Sequence, residues 1–467
     1  MLDMLETLKK VKELPTLHES HHGVQNLAVD AGSTETRGVI VLNDNIELSS
    51  LNHQSEVQFC PLLSVNSGYA SISEETQLGR PSKYDSLADK LEYLIVKESG
   101  GDLGWTKQRI LKGSLMEASA RSVSKVASSL LKTQQPQTYI NIIATIANMF
   151  LSKTVTTGKA FREVMPVDLS VALPYEDIYA TKSLDEFKKK LAGTYKIIFP
   201  RIRVDRVNAD GKVVDNNGNP CEISGNPAAR IPYFIKFTIT TDRIFITSEQ
   251  NAVAEFYSAA FEEEISAESD DERSKTVIID VGGRNTAMLL NKQSGMDESI
   301  QMTFDDGGSG LLKDIRDSAI KHFNLTTVSE EQALQALTTG AMSYGGKTID
   351  CLEIVNAAKQ RFATKLYENY TVFLDNYSTK VNSIKDVVVS GRSFKSIERV
   401  DGDSKVVVSP SIRTYFEQCF DSTISTGVIP IGVDYPIPWG LIQSRMGKLD
   451  TNDDYNSSID FDLDFDF

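Results

Sequence analysis

The chain is short of the residues that soft-metal and disulfide chemistry need. It holds five histidines and four cysteines in 467 residues. Cys60, Cys221, Cys351 and Cys419 lie far apart, with no CxxC pair and no Cys/His spacing of a zinc site. That reads as reduced thiols in a cytoplasmic protein. His18, His21 and His22 have helical metal-ligand spacing, but Pro15 and Gly23 mark the segment as loop, so no metal is assigned there. No apolar run reaches the roughly 18 residues of a membrane span. Asp3, Glu6, Lys9 and Lys10 interrupt the apolar residues at the N-terminus, so no signal-peptide pattern is read. GxxxxGK[ST], GxSxG and HExxH are all missing, which sets aside P-loop enzymes, serine hydrolases of the nucleophile-elbow kind and zincins. Positive charge is scarce too: 49 Lys+Arg against 64 Asp+Glu give a net charge of −15. Unassisted binding to nucleic acid or to an anionic membrane is not expected of such a chain.

What the chain does have is length for more than one lobe, with 40% hydrophobic residues to fill the cores. It also has two similar glycine turns. Leu27–Val41 reads LAVDAGSTETRGVIV and Thr276–Leu290 reads TVIIDVGGRNTAMLL. Each predicts a buried strand, an aspartate, a tight turn and a second strand. Such a hairpin aims backbone N–H groups at phosphate and holds a carboxylate near its metal. VVVSGRS at Val387–Ser393 adds a third strand with a glycine turn, and FDDGGSG at Phe304–Gly310 is a glycine-rich loop entering a helix. Helical periodicity over Tyr84–Ser99 and Trp105–Ser129, followed by a long apolar helix at Gln137–Thr154, predicts a helical subdomain over residues 68–160. Ile46–Leu51 reads as strand. Asn208–Pro220, rich in turn formers, predicts a hairpin arm over about 200–232. Ser248 reads as the N-cap of a helix running to Phe261.

These pieces suit hydrolysis of a nucleoside triphosphate, which needs amides and cations around the phosphates, a divalent metal, an oriented water and closure. Asp30 and Asp280 are assigned to Mg²⁺ through its water shell. Gly32, Ser33 and Thr34 supply amides and hydroxyls on one side, and Gly282 and Gly283 on the other. Arg37 is placed to give charge to a β-phosphate oxygen. Gly308 opens a helix that can present amides to phosphate or ribose. Gly391, Arg392 and Ser393 are candidates for the adenine or ribose face. Glu249 is the candidate acceptor for the attacking water's proton. By itself it reads equally as a first-turn acid favoured by the helix dipole.

The ordered set DAGSTETR, DVGGRNT, VVVSGRS and IPWGLI resembles the motifs of the actin, heat-shock-70 and sugar-kinase superfamily. Within it, VDLSVALPYEDIY, FKKKLAGTYKI, ITSEQNAVAEF, TVIIDVGG and FDDGGSG resemble, in order, the bacterial plasmid-segregation actins of the ParM type. The resemblance spans roughly residues 27–445. It implies an α/β fold of two ribonuclease-H-like lobes, each a mixed sheet flanked by helices, with nucleotide in the cleft between them. The divisions it implies are an N-terminal extension at 1–26, lobe I at 27–262, lobe II at 274–426, a return to lobe I at 427–446, and an acidic disordered tail at 447–467. It places Glu249 as the water-positioning acid. Arg284 and Asn285 stand where a hydroxyl residue usually follows the two glycines, and a single Gly391 stands where a pair is usual. These two sites are candidate nucleotide contacts that leave ATP or GTP open.

The function this implies is an ATPase that forms head-to-tail filaments, with plasmid DNA moved through a DNA-bound adaptor. Alternatives are a filament for cell shape or cargo positioning, and, from another class, a sugar or small-molecule kinase. The last nine residues alternate strictly, I-D-F-D-L-D-F-D-F over Ile459–Phe467. They read either as a linear peptide that adds to a partner's sheet edge or enters a basic-rimmed groove, recruiting the adaptor, or as a floppy tail or one folded back on the body.

Overall fold

The computed structural model describes most of residues 4–446. The longer stretches outside the described residues are 52–56, 74–85, 125–129, 206–213, 215–229, 261–274, 379–383, 421–426, 431–435 and 447–467, and the shorter ones include 33–34 and 392–395. The chain divides into two compact units, Met1–Ala252 with Ile437–Phe467, and Val253–Pro436.

The first unit is built on a nine-stranded mixed sheet. Its strands are β1 (Gln25–Asp30), β2 (Glu35–Ile40), β3 (Leu63–Asn66), β4 (Ala70–Ser71), β5 (Glu92–Gly100), β6 (Lys107–Leu111), β7 (Val164–Leu173), β8 (Gly193–Asp205) and β9 (Arg230–Ser248), in the order β3-β2-β1-β7-β9-β8-β5-β6-β4. β1, β7 and β9 run parallel, and the rest of the sheet is antiparallel. Odd-numbered residues of β5, β7, β8 and β9 face one core: Tyr93 and Ile95, Val167 and Leu169, Tyr195 and Ile197, Ile235 and Phe237. This is the period-two pattern of a sheet covered on one face. Helix α1 (Pro136–Thr157) lies in that core and is buried from Thr138 to Thr154. Pro136 opens it at a position where no N–H is needed, and Gly158 closes it at φ 68°. The short helices α2 (Tyr175–Tyr179) and α3 (Ser183–Leu191) follow β7, and Phe187 of α3 packs on Tyr139 of α1 with ring centroids 5.1 Å apart.

The second unit has a five-stranded sheet, β12-β11-β10-β13-β14. Its strands are β10 (Lys275–Val281), β11 (Thr286–Lys292), β12 (Gly295–Phe304), β13 (Ile384–Ser390) and β14 (Gly427–Pro430). Here β10, β13 and β14 are parallel. Between the chain entry and this sheet stands helix α4 (Glu249–Ala260). Helices α5 (Gly308–Phe323) and α6 (Leu352–Asn376) pack on the sheet's core through Leu311, Ile315, Val355 and Phe373. Helix α7 (Pro436–Gln443) returns the chain to the first unit.

Two expectations fail here. Among the described residues the helical subdomain over 68–160 is mostly not helical: Glu92–Gly100 and Lys107–Leu111 are strands, and of the stretches read as helical the described α-helices are Gly113–Ala118 and the long α1, with a 3-10 turn at Ala88–Lys90. The misreading has a physical cause. Tyr93 and Ile95 point to the core while Leu94 and Val96 occupy the opposite face, so a strand with apolar residues on both faces matches helical spacing by accident. Ile46–Leu51 holds a 3-10 turn, Leu48–Ser50, in place of a strand. The expected hairpin arm has its two stems in β8 and β9, which pair out to Asp205 and Arg230. Its turn and the alternating tail lie outside the described residues.

Lys112 is fully buried, and its ammonium donates to Asn141 Oδ1 at 2.7 Å. Burial pulls its pKa down to about 7. The unfolded chain keeps this proton up to about pH 10.4, so it binds more protons than the folded state between those values and stability rises with pH there. The slope from this residue is about 1 kcal/mol per pH unit near pH 7–8. Lys112→Met should remove that slope in urea unfolding at pH 7 and pH 8.5; an unchanged slope refutes it. The second prediction concerns Gly440 of α7, where an added Cβ would sit 1.7 Å from the Ala252 carbonyl oxygen. Gly440→Ala forces α7 off α4 and should cost about 3 kcal/mol. The chain's two tryptophans, Trp105 and Trp439, both belong to the first unit, so urea unfolding followed by their fluorescence measures the loss.

Candidate functional site

In each unit the candidate residues gather at the carboxyl ends of the parallel strands, where α/β sheets hold their ligands. In the first unit Asp30 ends β1 and lies in register with Ala172 of β7, and Ser248 ends β9 in register with Leu173. The Ser248 hydroxyl caps α4 by accepting from the Asn251 N–H at 3.0 Å, which sets Glu249 as the first helical residue. That is the cap the sequence predicted.

Asp30 is 2% exposed, and Arg37 on the neighbouring strand β2 donates to its Oδ2 at 3.0 Å. The Glu249 carboxylate accepts from Lys132 Nζ at 2.7 Å. Lys132 sits in a 3-10 turn, Lys132–Gln134, just ahead of α1. The turn is held from two sides: Asp177 of α2 accepts from both the N–H and the hydroxyl of Thr133 at 2.8 Å, and Tyr139 donates to the Thr133 carbonyl at 2.6 Å. These charges act on one another. Burial raises the Asp30 pKa above the usual carboxylate range; Arg37 opposes that, and Glu249 adds to it. Burial alone would depress Lys132, but Glu249 and Asp30 outweigh it and hold its pKa above the ordinary lysine value. Each carboxylate is thus held against a cation, Asp30 against the partly buried Arg37 and Glu249 against the buried Lys132.

The turn after Asp30 is tight. An added Cβ at Gly32 would lie 2.2 Å from the Glu35 carbonyl oxygen. Ser67 donates to the Gly32 carbonyl at 2.7 Å and bonds Thr36 at 2.9 Å, bracing the turn from β2. Ser33 and Thr34 lie outside the described residues.

In the second unit Asp280 is buried at the end of β10, in register with Ser390 of β13, so Gly391 follows beside it with φ 141°. Arg392 and Ser393 lie outside the described residues. The Gly282–Asn285 turn closes on itself through Gly282 N–H to the Asn285 carbonyl at 2.9 Å, and Arg284 is exposed. Gly308 plays a different part from the one expected. Its N–H donates to the Gly282 carbonyl at 2.9 Å, and that of Ser309 to the Gly283 carbonyl at 2.6 Å. The first amides of α5 are thus committed to holding the second turn. Gly307 is packed so closely that an added Cβ would lie 2.3 Å from the Arg284 carbonyl carbon. Beside this junction is a cavity of about 210 Å³ lined by Asp306, Gly307, Gly310, Asp314, Arg361 and Lys365 among others, with Arg361 forked onto Asp314 at 2.9 Å through two nitrogens.

Lys132, Asp177 and the Arg361–Asp314 pair were not singled out in the sequence. The one signal for Lys132 was its place just before the Pro that opens a long buried helix. Among the described residues no group of three or more His, Cys, Asp or Glu could cage a metal ion.

No protein-family model and no curated protein matches the chain. Solved structures do. The archaeal actin homologue Ta0583 in complex with ADP superposes with a TM-score of 0.53 at 12% identity, covering 90% of this chain and 98% of that one. ParM of Bacillus thuringiensis with ATP gives 0.51 at 12%, covering 91% and 98%. ParM from a 15-stranded filament of Clostridium botulinum gives 0.51 at 13%, covering 91% and 99%. The chain therefore has the actin-like α/β fold.

The charge cluster gives a direct prediction. Lys132→Met leaves Glu249 and Asp30 without their shared cation and should destabilise the first unit by about 3 kcal/mol, the range for breaking a buried pair. Adding Glu249→Gln should restore more than half of that loss in urea unfolding. If the double variant loses the sum of the two single losses, the residues are uncoupled.

Proposed function

We propose that the chain binds ATP with Mg²⁺, hydrolyses it, and assembles head to tail into actin-like filaments. The observation that supports this best is the Asp30, Arg37, Lys132 and Glu249 cluster at the carboxyl ends of β1 and β9. It sets a carboxylate for a hydrated metal, two cations for phosphate oxygens and an acid able to take a proton from water. Asp30 serves the metal, with Asp280 of the second unit. The metal, when bound, neutralises charge that develops on the phosphates. Gly32, Ser33 and Thr34 take phosphate on one side, and the Gly282–Asn285 turn on the other. Arg37 meets a β-phosphate oxygen. Glu249 orients the attacking water, and Lys132, paired with it at 2.7 Å, holds its carboxylate in place.

The cavity at Asp306, Gly310 and Arg361 is smaller than the ~300–1,000 Å³ of a whole drug-sized ligand. It suits part of a nucleotide, so the nucleoside is assigned there, with Gly391, Arg392 and Ser393 kept as candidate contacts from the sequence. Its mixed Asp and Arg lining accommodates ATP or GTP.

Self-assembly of this fold through a contact that does not close on itself yields an open polymer. The filament reading also draws on the Clostridium botulinum ParM, a protein of this fold that forms a 15-stranded filament. With a net charge of −15, DNA cargo is reached through a basic adaptor rather than directly. Among the described residues no helix is long and apolar enough to cross a membrane.

Glu249→Ala should bind ATP within about threefold of the parent and release phosphate about 10²-fold more slowly, the usual worth of a general base. In the parent, light scattering should rise on adding ATP and Mg²⁺ and fall as phosphate appears. In the variant the scattering should persist. Parental turnover in Glu249→Ala removes the residue from the role, and flat scattering over a wide protein range removes the filament.

A further inference from the structure

The even-numbered face of the large sheet in the first unit is half open to solvent. Its rows run straight across the strands. Leu94, Ile198 and Phe234 stand opposite one another on β5, β8 and β9. The next row holds Val96, Lys196, Lys236 and Val164, continuing onto β7. Val164 is 47% exposed, and Leu94, Ile198, Phe234, Lys196 and Lys236 are partly exposed. Lys196 rests over the Phe234 ring, 4.7 Å from its centroid, and Lys236 reaches Glu98 at 3.0 Å. In a chain of net charge −15, this face combines apolar side chains with a row of lysines.

The chain leaves its last described helix at this same face. Arg445, just after α7, forks onto Asp168 of β7 with both nitrogen–oxygen distances at 2.8 Å, and its guanidinium lies 5.5 Å from the Phe245 ring centroid. Asp168 is two residues from Pro166 and four from Val164, so it shares their side of the sheet. Residues 447–458 then precede the alternating Ile459–Phe467. Twelve residues reach up to about 40 Å when extended, enough to cross the whole sheet face.

We propose that Ile459–Phe467 docks on this face of its own chain as an extended segment. Ile459, Phe461, Leu463, Phe465 and Phe467 lie on the apolar rows, and Asp460, Asp462, Asp464 and Asp466 meet Lys196 and Lys236. The match is of two kinds at once. Period-two alternation puts all five apolar residues on one edge and all four carboxylates on the other, while the face offers apolar and cationic residues in adjacent rows. An adaptor that uses the tail has to lift it from this surface. The docking holds whether or not the chain hydrolyses nucleotide.

The experiment places p-benzoylphenylalanine at Phe461 in the full chain, irradiates dilute protein and maps the cross-links by mass spectrometry. Expected are cross-links within one chain to peptides carrying Leu94–Val96, Lys196–Ile198 or Phe234–Lys236. Their yield should fall about fivefold in 1 M salt, where screening is nearly complete. A similar fall is expected in Lys196→Glu with Lys236→Glu, and in a chain whose four tail aspartates are asparagine, a change that leaves the sheet untouched. Cross-links scattered over the surface, cross-links that only join two chains in proportion to concentration, or a yield indifferent to salt and to both sets of substitutions overturn the proposal.

Discussion

The candidate site depends on one electrostatic constraint: Asp30 is a buried carboxylate, Glu249 a partly buried one, and they lie within reach of each other's field. Left unpaired, a carboxylate enclosed as Asp30 is would cost several kcal/mol. Arg37 and Lys132 prevent that, and much of the first unit's local architecture holds those two cations in place. β2 pairs with β1 so that Arg37 stands opposite Asp30. α2 and α1 fasten the turn that carries Lys132. The cap at Ser248 starts α4 one residue before the acid. A site of this kind is neutral as a whole yet holds strong local fields, which is what binding and polarising a phosphate demands.

The second unit meets a different constraint, the placement of backbone rather than charge. The Gly282–Asn285 turn, Gly307 and the first amides of α5 form one knot in which two carbonyls of the turn accept from the helix N-terminus. A helix end spent in this way fixes the position of the loop. This explains why the loop carries glycine at 307, where a side chain would strike the Arg284 backbone. The same logic places Gly391 beside Asp280 on the adjacent parallel strand.

Much of this was legible in the sequence, for identifiable reasons. Both Asp–Gly turns follow fully apolar strands, so hairpins were readable at Asp30 and Asp280. The N-cap at Ser248 and the long helix before Thr157 carry local signals that tertiary packing does not override. What was hidden depends on residues far apart in the chain. Lys132 and Glu249 are 117 positions apart, and Asp177 and Thr133 are 44. No periodicity announces such pairs. β5 was misread because its two faces are both apolar, one against the core and one toward partly open surface. That second face is informative: a strand with Leu94 and Val96 on its outer side resembles a helix in sequence because both of its faces carry apolar residues.

The distribution of charge ties these points together. Over the whole chain 64 Asp+Glu outnumber 49 Lys+Arg, so where cations cluster they need a reason. One cluster neutralises Asp30 and Glu249. Another, Arg109 and Arg201, encloses the buried Glu92 at 2.7 and 2.8 Å and joins β5, β6 and β8. Among the described residues, Lys196 and Lys236 on the outer sheet face serve no buried carboxylate of that kind; Lys236 pairs with the exposed Glu98. Two lysines in one row with Val96 and Val164 make this part of the face apolar and cationic together, the combination that an acidic, apolar segment would match.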